Sequence, residues 1–87
     1  MSGTQIRVRY WGGIAAKLQR KTETLLFQAP PDMRALVERI IEETGPDRGE
    51  VLRQPGVLLA ANGRTVGLGH RLADGDAVDI LPAVAGG

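Results

Sequence analysis

The sequence has no cysteine, one histidine and only a single Phe, Tyr and Trp. Without thiols there are no disulfides, thiolate zinc sites, iron–sulfur clusters or cysteine nucleophiles. The lone imidazole, His70, cannot build a histidine metal cage and reads as a loop residue with a local hydrogen bond, so no metal site is expected. Three aromatic rings are too few for a base-stacking platform. Charge of one sign is also missing: eleven Lys and Arg face ten Asp and Glu, a net +1 with no like-charge block, which argues against nucleic acid as a partner. No run approaches the roughly 18 apolar residues of a membrane span. The opening MSGTQIRVRY lacks the basic-then-apolar pattern of a secretion signal, so a cytoplasmic protein without membrane contact is expected.

What is present suits one compact domain. The chain has 87 residues and 43% hydrophobic content, and a chain of this length buries only about 60–65% of its unfolded surface, too little for two cores. Residues Gln5 to Trp11 alternate, with Ile6, Val8 and Tyr10 on one face and Arg7, Arg9 and Trp11 on the other, as a half-buried strand requires. Gly12 and Gly13 interrupt it, and Ile14 to Leu18 has the length of a helical turn. Thr24 to Gln28 reads as a second strand stopped by Pro30 and Pro31, which lack the ladder N–H.

The most periodic segment follows. Met33, Leu36, Val37, Ile40 and Ile41 share one helical stripe, Asp32 is placed to cap it, and Gly45-Pro46 ends it. Arg34 with Glu38 and Arg39 with Glu43 are spaced as i,i+4 ion pairs. Residues 46–56 form a connector with a short helical turn around Glu50 to Arg53. Val57 to Ala61 is an apolar strand closed by Asn62-Gly63, a two-residue hairpin turn, with Arg64 to Val66 returning. Leu72 is a core anchor, Asp74-Gly75-Asp76 a turn, and Ala77 to Leu81 the last strand, with Val78 and Ile80 on one face and Ala77, Asp79 and Leu81 on the other. This order predicts an α+β β-grasp fold: a mixed sheet of four to five strands with one main helix packed on one face. The domain spans residues 1–81, and Pro82 starts a mobile tail, 82–87, that closes on Gly86 and Gly87.

The stretch LLAANGRTVGLGHRLADGDAVDILPAVAGG, residues 58–87, resembles the C-terminal half of ubiquitin-like sulfur carriers of the MoaD and ThiS type, most of all the molybdopterin synthase small subunit. The shared features are a strand leading to Asn-Gly, His70 before Leu-x-Asp-Gly-Asp, and a terminal strand running into Pro-x-Val-Ala-Gly-Gly. The resemblance implies a non-catalytic carrier that binds no cofactor. An E1-like enzyme of the MoeB or ThiF type spends ATP to adenylate the Gly87 carboxylate, and sulfur then replaces an oxygen to give a thiocarboxylate.

The residues fit that chemistry. An ionised α-carboxylate is a poor electrophile and needs a leaving group. Gly86 and Gly87 have no Cβ, so a partner's narrow tunnel can close on their backbone, and Pro82, Ala83, Val84 and Ala85 would line the approach. Trp11, Arg7 and Arg9 have the composition of a docking hot spot, although a Trp packed beneath a loop reads equally well; Leu59 and Leu81 are weaker docking candidates, for which burial in the second face is the favoured reading. Asp74, Asp76 and Asp79 read as turn-forming carboxylates rather than acid–base groups. The recipient stays open among a molybdopterin synthase large subunit, a thiazole synthase-like enzyme, and cysteine, transfer-RNA or secondary-metabolite sulfuration. A ubiquitin-like modifier joined to lysines through Gly87, or an interaction module with an incidental tail, is the alternative outside sulfur transfer.

Overall fold

The computed structural model describes residues 3–82. Along the chain run β1 (Thr4–Tyr10), α1 (Gly12–Leu18), β2 (Thr22–Phe27), α2 (Met33–Thr44), α3 (Pro46–Gly49), a 3-10 turn (Glu50–Arg53), β3 (Leu58–Ala61), β4 (Arg64–Thr65) and β5 (Ala77–Leu81). The strands form one mixed sheet in the order β2-β1-β5-β3-β4. At its centre β1 and β5 run parallel with Val8 opposite Val78 and Tyr10 opposite Ile80, and every other pairing is antiparallel. This is the β-grasp arrangement the sequence predicts.

Alternation in β1 does what its period demands, burying Thr4, Ile6, Val8 and Tyr10 and exposing Gln5, Arg7 and Arg9. The buried side meets the α2 stripe of Met33, Leu36, Val37, Ile40 and Ile41, all within the core. Each such side chain contributes about 1.5–3 kcal/mol by leaving water. Asp32 caps α2 by accepting a hydrogen bond from the Ala35 N–H at 2.8 Å, which satisfies one of the donors a helix start leaves open. Ile14 and Leu18 of α1, Leu52 of the 3-10 turn, and Leu72 close the edges of the same core.

Several boundaries differ from the sequence reading. The strand ends at Tyr10, and Trp11 instead precedes α1 as its extended N-cap residue. Gly12 and Gly13 belong to α1, because Gly12 at φ 53° turns the chain directly into the helix. A separate helix, α3, occupies the start of the connector, with Pro46 in its first turn, where the missing N–H costs nothing. Of the two predicted helix pairs, Arg39 and Glu43 meet at 2.7 Å, but Glu38 is taken by Arg53 of the 3-10 turn at 2.9 Å rather than by Arg34. The turn anchors Leu52 in the core beside α2 and offers, in Arg53, a cation that helix spacing cannot reveal.

Candidate functional site

The sheet face opposite α2 carries no helix among the described residues. On it β1 sets Arg7 beside Ala77 and Arg9 beside Asp79 of β5. Across the next pairing, Ala60 stands opposite Asp79 and Leu58 opposite Leu81. Charge and apolar surface therefore gather at the end of the sheet where β5 leaves through Pro82.

Asp79 organises that end. One of its oxygens, Oδ1, accepts from Nε of Arg9 at 3.0 Å and from Nε1 of Trp11 at 2.9 Å. The Arg9 guanidinium also lies over the Trp11 ring, 5.2 Å from its centroid, a spacing at which cation and π-face attract. Trp11 stays 43% exposed. The indole is pinned at its polar edge by Asp79 and covered in part by Arg9, and the rest of the side chain stays exposed rather than packed beneath a loop. Arg9 spends its charge on Asp79, whereas Arg7 has no ion-pair partner among the described residues. Asp79 is thus not a turn carboxylate: its bonds run to side chains of β1 and of the β1–α1 junction. Asp76 holds its turn by accepting from the Ala73 N–H at 2.8 Å, whereas Asp74 accepts from the Gln5 N–H of β1 at 2.8 Å and ties the turn to the first strand instead of bonding locally.

Of the two weaker docking candidates, Leu59 lies on the core side. Leu59 pairs with the fully buried Ile80 and packs against the core on the helix side. Its neighbour Leu58, 41% exposed, is the residue on the open face. Periodicity gives alternation within VLLAA but not its phase, which only the register with β5 fixes. Leu81 lies on the open face, half-buried beside Leu58. His70 sits in an exposed loop, and its backbone carbonyl accepts from Met33 at 2.8 Å. No group of three or more His, Asp or Glu fit to hold a metal occurs among the described residues. No helix among them is long and apolar enough to cross a membrane.

Pro82 is half-buried and abuts the start of α1: a methyl group placed on Gly12 would lie 3.1 Å from Cγ of the Pro82 ring. Trp11 donates its backbone N–H to the Ile80 carbonyl at 3.1 Å, holding the β1–α1 junction against the last strand. Ala83, Val84, Ala85, Gly86 and Gly87 lie outside the described residues.

The sequence pattern of the ThiS family matches residues 13–87. The chain belongs to the ThiS family. Solved structures surround this ThiS-family protein with ubiquitin-like relatives. Urm1 from Trypanosoma brucei is 27% identical with a TM-score of 0.68, covering 100% of both chains. In the complex of subunits 1 and 2 of the molybdopterin-converting factor from Helicobacter pylori, the matching chain is 25% identical at TM-score 0.66, over 97% of this chain and 100% of that one. The small archaeal modifier protein 1 of Haloferax volcanii shares the fold at TM-score 0.79 with 16% identity, over 94% of this chain and 100% of that one. No curated protein matches the chain in sequence.

Proposed function

We propose that this ThiS-family protein is a sulfur carrier that holds sulfur as a thiocarboxylate on Gly87 and delivers it to a biosynthetic enzyme. The observation that carries the reading is a family match running through Gly86 and Gly87 in a chain with no cysteine. A thiolate is the usual protein sulfur nucleophile, and this chain has none, which leaves the terminal carboxyl to bear the atom. In the first step a Gly87 carboxylate oxygen attacks the α-phosphorus of ATP held by an E1-like enzyme, expelling pyrophosphate. In the second, a reduced sulfur donor attacks the acyl carbon, and AMP leaves with the electron pair of the broken C–O bond.

The protein itself contributes positioning rather than catalysis and binds no cofactor. Trp11, Leu58 and Leu81 form the apolar part of its docking face, Arg7 supplies a positive charge beside them, and Asp79 with Arg9 fixes the indole. Pro82 to Gly87 form the tail that enters the partner. Ala83, Val84 and Ala85 keep its girth small, and glycine at 86 and 87 admits close backbone approach. The protein works in the cytoplasm, and its recipient is a molybdopterin-forming enzyme. The tail sequence and the likeness to a chain of the Helicobacter pylori molybdopterin-converting factor complex support that recipient.

A second reading is a protein modifier joined to lysines through Gly87, favoured by the likeness to the small archaeal modifier protein 1. Intact-mass analysis of the protein isolated from its native host separates the two. The oxygen-to-sulfur increment on Gly87 is the expected result. A ladder of covalent adducts without that increment transfers the assignment to the modifier, and the absence of both defeats acyl chemistry altogether.

A further inference from the structure

We propose that Gly12 is a positioning residue for the tail: its bare Cα is the seat of the Pro82 ring and thereby aims the chain from the docking face toward the partner's active site. The claim rests on the sulfur-carrier reading for its function and on geometry alone for its mechanism.

Up to Leu81 the last strand is held by the sheet, since Leu81 pairs with Leu58 and Ile80 accepts from the Trp11 N–H. Pro82 has no N–H to extend that ladder. Its orientation must come from elsewhere, and the β1–α1 junction lies against it. There a Cβ on residue 12 would stand 3.1 Å from Cγ and 3.7 Å from Cδ of the ring. Residue 12 also sits at φ 53°, in the left-handed region, so glycine is favoured there on two independent grounds.

The adjacent Gly13 is the internal contrast. A Cβ there meets nothing within 4 Å, although the residue belongs to the same helix and lines a groove together with Pro82. That groove, about 540 Å³, opens between α1 and the 3-10 turn and has Pro82 in its wall. A methyl on Gly12 therefore has an easy outlet: the ring shifts toward the groove while the core stays in place.

A methyl on Gly12 must push the ring by a few tenths of an ångström, and a partner that grips Trp11, Leu58 and Leu81 with one surface and receives Gly87 in another is sensitive to where the chain leaves the sheet. Misplacement by about 1 Å can cost a factor of about 100 in rate.

The test is ATP-dependent adenylation by the E1-like enzyme of the source organism, with four carriers: wild type, Gly12→Ala, Gly13→Ala and the double variant Gly12→Ala/Pro82→Ala, each checked by circular dichroism. Gly12→Ala is expected to raise KM about 10-fold or more with kcat nearly unchanged, because a threaded tail still presents the same carboxylate. Gly13→Ala stays within about twofold of wild type, and the double variant, which has no ring to seat, remains as impaired as Gly12→Ala. Equal KM values for the two single alanine variants, or a wild-type KM in the double variant, overturn the proposal.

A second readout is independent of activity. A nuclear Overhauser contact between Gly12 Hα and the Pro82 ring is expected in wild type and Gly13→Ala, and its absence also overturns the proposal. A wild-type carrier that is never adenylated defeats the sulfur-carrier reading instead, with the ring contact still deciding the geometric claim.

Discussion

At the scale of single residues, the polar groups that matter most are those tied into the sheet by more than one partner. Tyr10, the only tyrosine, is 3% exposed and donates its hydroxyl to the Glu23 carboxylate. Glu23 also accepts from Arg20 Nε at 2.8 Å, and Arg20 reaches Thr44 at the end of α2. Burial, with Glu23 adding to it, pushes the Tyr10 hydroxyl above its ordinary range. Because the folded state holds this proton more tightly than the unfolded chain, the resulting stabilisation is complete below about pH 10 and is lost as pH rises past that value. Tyr10→Phe should cost about 1–2 kcal/mol at pH 8 through the lost hydrogen bond to a charged group. It should also show a shallower decline in urea midpoint between about pH 8 and pH 11 than wild type. Equal declines in the two proteins would remove Tyr10 as the origin of alkaline sensitivity. Asp79 teaches the complementary lesson. Its place on the open face is legible from alternation, but its bonds to Arg9 and Trp11 depend on the parallel register of β1 with β5.

Among the elements, the connector is where sequence and structure diverge most. Pro46 and Gly49 look like loop punctuation, yet they begin and end α3, whose final residue is buried against α2. A methyl on Gly49 would lie 2.9 Å from the Cα of Ile41 and 3.0 Å from its Cγ2. Alanine improves helix propensity by up to about 1 kcal/mol, but overpacking against backbone that cannot rotate away costs about 1–3 kcal/mol. The second effect wins, so Gly49→Ala is expected to lower stability by about 1–2 kcal/mol in urea denaturation. An unchanged midpoint would mean that α3 floats free of α2. In contrast, α2 was readable down to its cap, because one apolar stripe with an Asp before it satisfies both the helix period and the open N–H groups. The Arg34–Glu38 pair failed because a local spacing rule knows nothing of the 3-10 turn packed alongside.

For the whole molecule, fold and function separate along the chain. The buried core described here draws on residues between Ile6 and Ile80, whereas the proposed chemistry belongs to Gly86 and Gly87. Deleting Gly87, or replacing Gly86 by Val, should therefore leave the urea midpoint within about 0.5 kcal/mol of wild type while abolishing ATP-dependent adenylation. Adenylation that survives the Gly87 deletion would exclude terminal acyl chemistry; a collapse in stability would show that the tail is part of the fold. The mixed sheet leaves one face without a helix, and that face meets the exit of β5 at Trp11, Leu58 and Leu81. The proposed docking surface and the exit of β5 thus lie side by side.

The sequence by itself determined the element order, the α2 stripe, the Asn-Gly turn and the Gly-Gly signature, since each is a local pattern whose period or backbone preference is written within a few neighbouring residues. Tertiary structure alone decided that Leu58 rather than Leu59 faces outward, that Asp79 clamps Trp11, that Arg53 takes Glu38, and that Gly12 seats Pro82. The physical reason is common to all four: they depend on strand register and on close approach between segments far apart in the chain, and no local periodicity encodes which residues those contacts bring face to face.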